Sequence, residues 1–198
     1  MSTPRTLLMA LVLEGKKCLV IGGGEEAALR CRVLVEVGAV VVAVADAPGP
    51  ALEAMASSGA VSLERRAFGE PDVLGAWLVV LTERDPALVE RLGVLCEARR
   101  ILFSAIDQPS HNSVSHVGIA RDGPVTLAVS TDGRVPALAK RLKDELERAM
   151  HESGLGAFAE RVAQIRDETP GPERKEKLSR LLAGLTLGAW RIPGPGDE

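Results

Sequence analysis

Lys17-Cys-Leu-Val-Ile-Gly22-Gly-Gly-Glu25 is a short apolar run that ends in three glycines and turns acidic. An unbroken apolar run, in place of alternation, marks a strand buried on both faces, so residues 17–23 predict an interior strand. From Glu25 onward Ala27, Ala28, Leu29, Val33, Leu34 and Val37 recur at helical spacing, and Gly38 stands where a helix would stop. Residues 40–45 are a second apolar, β-branched run. Strand, helix and strand make a βαβ unit of about 30 residues with a right-handed crossover.

The alternation continues along the chain. Residues 50–57 read as a helix, 61–64 as a short strand and 77–82 as an apolar strand. A helix carried by Leu88, Leu92 and Leu95 follows over 85–99, then a strand over 101–106. The economical summary is an α/β fold, a parallel sheet with interleaved helices over residues 1–113. After Pro109 the texture changes: 117–120 and 125–130 read as a hairpin around Arg121-Asp-Gly-Pro124. Pro136 falls in the first turn of a helix whose Leu138, Leu142, Leu146 and Ala149 form one apolar stripe. Two more helices are expected over 157–168 and 173–187, and the tail from Ile192 to Glu198 reads as loose.

Composition narrows the function classes. The 198 residues are 46% apolar and 26% charged without a low-complexity tract, as in globular chains. Three Phe, two Trp and no Tyr leave almost nothing to stack bases on, and a net charge of −3 offers no polyanion attraction, so nucleic acid is not expected as a partner. Cys18, Cys31 and Cys96 are odd in number and far apart, which fits neither a disulfide framework nor a zinc site and points to a reducing cytoplasm. The apolar stretch from Leu7 to Leu13 is too short to span a bilayer, and Glu14-Gly-Lys-Lys17 stands where a signal peptide would need small residues. No membrane anchor is expected.

Gly22, Gly24 and Ala27 match the G-x-G-x-x-G/A spacing of dinucleotide-binding turns. In such a turn the first glycine allows the bend, the second lets backbone approach a pyrophosphate, and the small third residue lets helix pack on strand. The positive helix end then faces the phosphates. Asp46 closes the second strand 24 residues beyond Gly22, near where an acidic residue holds the adenosine ribose, which favours NAD over NADP; a solvated loop aspartate is the alternative. Glu25 and Glu26 suit the helix dipole but would repel a phosphate at the same end, and both are read as solvated.

The order of Val20-Ile-Gly-Gly-Gly-Glu25, Leu34-Val-Glu-Val-Gly-Ala39, Ala105-Ile-Asp-Gln-Pro109, Gly123-Pro-Val-Thr-Leu-Ala-Val-Ser-Thr131 and Gly133-Arg-Val-Pro-Ala-Leu-Ala139 resembles the precorrin-2 dehydrogenase and sirohydrochlorin ferrochelatase family, the N-terminal module of sirohaem synthases in its stand-alone form. The likeness runs over nearly the whole chain, and its last block is more specific than the glycine motif. It implies a Rossmann-like NAD-binding domain over 1–113, a small α+β central region over 114–150 that builds a homodimer, and a C-terminal helical domain over 151–198. It also implies NAD-dependent oxidation of precorrin-2 to sirohydrochlorin in the cytoplasm, with insertion of ferrous iron or cobalt as a further step in some members.

Carried over position by position, the family's functional aspartate falls on Asp107. Ligands of open α/β sheets bind outside the carboxyl ends of strands, so a carboxylate there is placed to accept a proton as a hydride leaves, or to take pyrrole protons as a metal enters. An Asp-Gln-Pro turn opener is the alternative. The resemblance assigns NAD contacts to Gly22, Gly23, Gly24, Glu25, Glu26, Asp46, Ala47 and Thr82, and makes Thr131 a hydroxyl position that some relatives phosphorylate. Arg134, Lys140 and Arg141 would hold carboxylates of the tetrapyrrole, with a solvated helix face as the alternative for each. His111 and His116 have no recognised ligand spacing, and no resident metal is expected.

Several positions depart from the family pattern. Glu26 replaces an apolar residue, Val89 stands where asparagine is common, Val114-Ser-His-Val117 replaces a segment with an aromatic and a proline, and Asp132 replaces a glycine. Three readings follow: an NAD-dependent dehydrogenase with or without ferrochelation, a chelatase that has lost oxidation, and a non-catalytic tetrapyrrole-binding dimer.

Overall fold

In the computed structural model, which describes residues 6–186, strand β1 (Lys17–Ile21) sends Cys18 and Val20 into one apolar cluster and Leu19 and Ile21 into another. Strand β4 (Leu78–Leu81) repeats the pattern, with Leu78 and Val80 on the first side and Val79 and Leu81 on the second. Successive strand side chains point to opposite faces, so an apolar run without alternation is what two buried faces require. With β2 (Val40–Val44), β3 (Ser62–Glu64) and β5 (Leu102–Ala105) these strands form a five-stranded, wholly parallel sheet in the order β3-β2-β1-β4-β5.

Helices cover both faces. From α1 (Glu25–Glu36) and α2 (Pro50–Ser57), Ala27, Ala28, Cys31, Leu34 and Leu52 pack into the first cluster. From α3 (Pro86–Arg99), Val89, Leu92, Leu95 and Cys96 pack into the second. The Asp85 carboxylate accepts from the amides of Ala87 and Leu88 at 3.0 and 3.2 Å, and Pro86 follows it, so α3 starts at a capped turn. This is the expected α/β Rossmann-like architecture. Its strand order reverses between β1 and β4, and that switch point lies where open sheets bind ligands.

The described residues divide into two compact units, with the boundary between His116 and Val117. In the second unit β6 (Gly118–Asp122) and β7 (Val125–Val129) form an antiparallel hairpin. Asp122 pairs with Val125, so the turn is Gly123-Pro124 alone and β6 runs two residues further than the sequence suggests. Gly123 takes φ 53, which a residue with a Cβ adopts reluctantly. Helices α4 (Pro136–Ser153), α5 (Leu155–Glu168) and α6 (Gly171–Leu182) follow. Both α5 and α6 begin two residues before their expected starts, and α6 ends at Leu182, short of the expected 187, where Ala183-Gly184 turns the chain; residue 187 and the tail from Ile192 lie outside the described residues.

Asp122 Oδ2 accepts from the Gly156 amide at 2.7 Å, which ties the hairpin to the first turn of α5. The α4 stripe is covered less than its spacing implies. Leu138 is 47% exposed, and the buried residue of the helix is Met150. A two-stranded ribbon is too narrow to bury an 18-residue helix.

Leu19 is fully buried in the middle strand of the sheet. Leu19→Ala is expected to lower unfolding free energy by about 2–5 kcal/mol in chemical denaturation. A loss below about 1 kcal/mol would contradict burial on both faces.

Candidate functional site

The glycine turn sits at the carboxyl end of β1 and is clasped by the loop after β2. Gly22 N donates to Val44 O at 3.0 Å, and Gly49 N donates to Gly23 O at 2.8 Å. Gly22 has φ 127, and a Cβ there would lie 2.2 Å from Thr82 Oγ1. At Gly23 a Cβ would lie 2.2 Å from the Ala47 carbonyl oxygen, whereas at Gly24 it would meet nothing within 4 Å. The first two glycines are therefore demanded by the protein's own packing, and the third opens onto free space. Gly24 is the N-cap of α1, and no side chain caps that helix, so its first-turn amides and positive end face the opening. Ala27 is fully buried and lets α1 sit close on the sheet.

The two glutamates of this turn behave differently. Glu25 is exposed. Glu26, read as solvated from sequence, instead has its Oε1 buried 2.5 Å from Arg30 Nη2, one helical turn on. The ion pair offsets the charge that would repel a phosphate at this helix end. Arg30 and Glu26 also act on His116: desolvation, with Arg30 reinforcing it and Glu26 opposing, pushes that imidazole down to about 4, so it is neutral near pH 7. Two of the departures from the family pattern thus meet at one place on α1.

Asp46 follows β2, is exposed, and lines a cleft of about 450 Å³ at the carboxyl ends of the strands. Arg66, Phe68, Glu83, Asp85 and Arg91 line the same cleft. Arg66 is already engaged by both oxygens of Asp72, at 2.6 and 2.8 Å. Arg91 lies over the Phe68 ring, 5.6 Å from its centre. Thr82 follows β4, and both its amide and its hydroxyl donate to Ile21 O, at 2.9 and 3.1 Å. That hydroxyl locks β4 to β1 beside the glycine turn.

Asp107 stands past the end of β5 in the left-handed conformation, φ 59, with its side chain 65% exposed. Its carboxylate accepts from Arg84 Nη2 at 2.8 Å. Gln108 Nε2 donates to Glu83 O at 2.9 Å, so two side chains join the loop after β4 to the loop after β5. Behind them the Asn112 side chain bonds both the amide and the carbonyl of Ala105, at 2.7 and 3.0 Å. Ser113 Oγ accepts from Phe103 N at 2.8 Å. The chain after Asp107 is thereby laid back along β5. Sequence reasoning missed Arg84, since Thr82-Glu-Arg-Asp85 reads as a helix onset and nothing local pairs it with a residue 23 positions on.

Gly22, Gly23, Gly24, Glu25, Glu26, Asp46, Ala47, Thr82 and Asp107 all belong to the first unit and its sheet's carboxyl edge. Thr131, Arg134, Lys140 and Arg141 belong to the second unit. There Thr131 Oγ1 accepts from Val135 N at 3.3 Å at the entrance to α4. Arg134 and Lys140 are exposed, and Arg141 pairs with Glu145 at 2.5 Å. Burial pushes the thiols of Cys18, Cys31 and Cys96 up to about 11, so none is a thiolate nucleophile at neutral pH. Among the described residues no cluster of three His, Cys, Asp or Glu is placed to hold a metal, and no helix is long and apolar enough to cross a membrane.

These residues fit a dinucleotide: an open cradle at Gly24, an uncapped helix start, and a carboxylate beside a cleft. Gly22→Ala is expected to cost about 1–3 kcal/mol of stability, because a side chain there meets both strained backbone and the Thr82 hydroxyl. Gly24→Ala is expected to leave stability within about 0.5 kcal/mol of wild type while weakening dinucleotide binding at least about tenfold, because backbone approach is lost. Thermal unfolding and calorimetric titration with NAD separate the two. Wild-type affinity in Gly24→Ala would refute the cradle.

Known proteins resemble this chain. A family model described as "Putative NAD(P)-binding" matches residues 9–117, and one described as "Sirohaem biosynthesis protein central" matches residues 122–149. The chain is 33% identical over 154 residues to siroheme synthase of Escherichia coli and 32% identical over 154 residues to that of Citrobacter koseri. Each match covers 78% of this chain and 34% of the relative, so the chain spans about a third of the length of the curated relatives it matches. The solved structure of SirC, precorrin-2 dehydrogenase, has the same fold, with a TM-score of 0.75 over 89% of both chains at 24% identity. With more than half of its residues inside the first model and its central segment inside the second, the chain belongs to the NAD(P)-binding family that includes the N-terminal part of sirohaem synthases.

Proposed function

We propose that this chain oxidises precorrin-2 to sirohydrochlorin with NAD⁺, with Asp107 as the proton acceptor, as a cytoplasmic homodimer. The observation that carries this reading is the placement of Asp107, a solvent-open carboxylate past β5, on the same sheet edge as the uncapped glycine turn after β1. The reaction removes a hydride and a proton from the tetrapyrrole. NAD⁺, when bound, would supply the hydride acceptor. The amides at the Gly24 turn would hold its pyrophosphate, and Asp46 would accept from the adenosine ribose. Asp46, Glu83 and Asp85 line one cleft against Arg66, whose guanidinium is held by Asp72, and Arg91, which lies over Phe68; that acidic excess supports the choice of NAD over NADP. Asp107 takes the proton, because a solvent-open carboxylate passes it on to water.

In this reading the second unit's Arg134, Lys140 and Arg141 receive acetate and propionate groups of the substrate, beside Thr131. Insertion of ferrous iron or cobalt, as substrates, into sirohydrochlorin without the oxidation step is a second reading. It is favoured by Glu26, a departure from the family pattern that is ion-paired with Arg30, and by His116, in the altered 114–117 segment, whose imidazole is neutral near pH 7.

The test is anaerobic conversion of precorrin-2 followed by absorbance, with NAD⁺, NADP⁺ or no nucleotide. Sirohydrochlorin is expected only with nucleotide and fastest with NAD⁺, and Asp107→Ala is expected to slow it by about 10²–10⁴-fold. A folded wild type that inserts ferrous iron yet leaves precorrin-2 unchanged would select the second reading. One that does neither would overturn both.

A further inference from the structure

We propose that Arg84 is a receiver for a substrate carboxylate, parked on Asp107 until an anionic ligand displaces it. The inference rests on the reading above only in taking the ligand to be a polycarboxylic tetrapyrrole. Its basis is the mounting of Arg84. The loop Thr82-Glu-Arg-Asp85 is pinned at one end by Thr82 on Ile21 O, at the other by Asp85 capping α3, and between them by Gln108 on the Glu83 carbonyl. A fixed backbone thus presents a guanidinium, 78% exposed, in the loop after β4, one of the two strands that flank the switch point. Open sheets bind ligands at that point.

Among the described residues that guanidinium is partnered by the Asp107 carboxylate, itself largely in water. Exposed ion pairs of this kind are weak, so exchanging one carboxylate for another changes little in energy. A ligand carboxylate matches the planar fork of arginine as well as Asp107 does, and accepts two parallel N–H bonds where Asp107 takes one. The exchange has a chemical result. Moving Arg84 onto the ligand frees the Asp107 oxygen that it holds, so that oxygen is open to a substrate proton only when the ligand is in place, and binding and proton abstraction are linked through one side chain.

The probe is uroporphyrin, a fully conjugated polycarboxylic porphyrin with no hydride to give, titrated by fluorescence. Arg84→Gln is expected to weaken its binding about tenfold, Arg84→Lys to recover part of the loss, and Arg99→Gln, the same charge change at the far edge of the sheet, to leave it unchanged. Asp107→Asn is expected to tighten binding roughly threefold when Arg84 is present and not at all in the Arg84→Gln background. In turnover, Arg84→Gln raises KM more than it lowers kcat, whereas a merely structural tie would move neither selectively. Equal binding by wild type and Arg84→Gln overturns this assignment and leaves the proposed activity standing. An Asp107→Asn gain that persists without Arg84 also overturns it, since general charge removal then suffices. A wild type that binds no uroporphyrin but still titrates with NAD overturns the tetrapyrrole reading, and the role of Arg84 with it.

Discussion

The close approach of three chain segments around two glycines governs this molecule. Thr82 Oγ1 lies where a Gly22 side chain would stand, and the Ala47 carbonyl lies where a Gly23 side chain would. That packing draws the ends of β1, β2 and β4 together, and it can do so only because neither residue carries a Cβ. Everything that marks the sheet edge follows from it: the direction in which α1 leaves, the opening at Gly24, and the position of Asp46 over its cleft. The motif is thus divided between fold and ligand, with two of its glycines serving the protein and one left for a phosphate.

Much of this could be read from side-chain pattern alone, because the cause was local. The unbroken run in β1 demanded two buried faces, and both clusters are there. The switch from strand to helix at Gly24 needed only a turn and an apolar period. The hairpin was also visible, though its register was not: Arg121-Asp-Gly-Pro124 has four turn-forming residues, and only pairing across the ladder decides that Asp122 belongs to the strand. The early starts of α5 and α6 have a similar origin. Gly154 closes α4 in the left-handed conformation and opens α5 at the same time, while Pro170 is the N-cap of α6 and Pro172 lies in its first turn, where no amide is missed.

What stayed hidden depended on contacts between distant residues. Glu26 and Arg30 have the spacing of a helical ion pair, yet the group they act on, His116, arrives ninety residues later in the chain. Arg84 and Asp107 sit in loops after adjacent strands, and adjacency in the sheet, not in sequence, joins them. Chemistry at a sheet edge is assembled from strand ends, so its residues are scattered by construction. Pattern reading finds the platform and a founding residue, and tertiary structure names its neighbours.

All three cysteines lie in the first unit, one on β1, one on α1 and one on α3, and none occurs after residue 116. Their sulfurs are sealed in the two clusters on opposite faces of the sheet. The thiols therefore form a built-in clock for this half of the molecule. Cys18 and Cys31 react only when the α1 face lifts and Cys96 only when the α3 face does, so labelling rates time the opening of each layer separately. The hairpin and its helices remain silent in such a record, which lets the two units be followed one at a time in the intact chain.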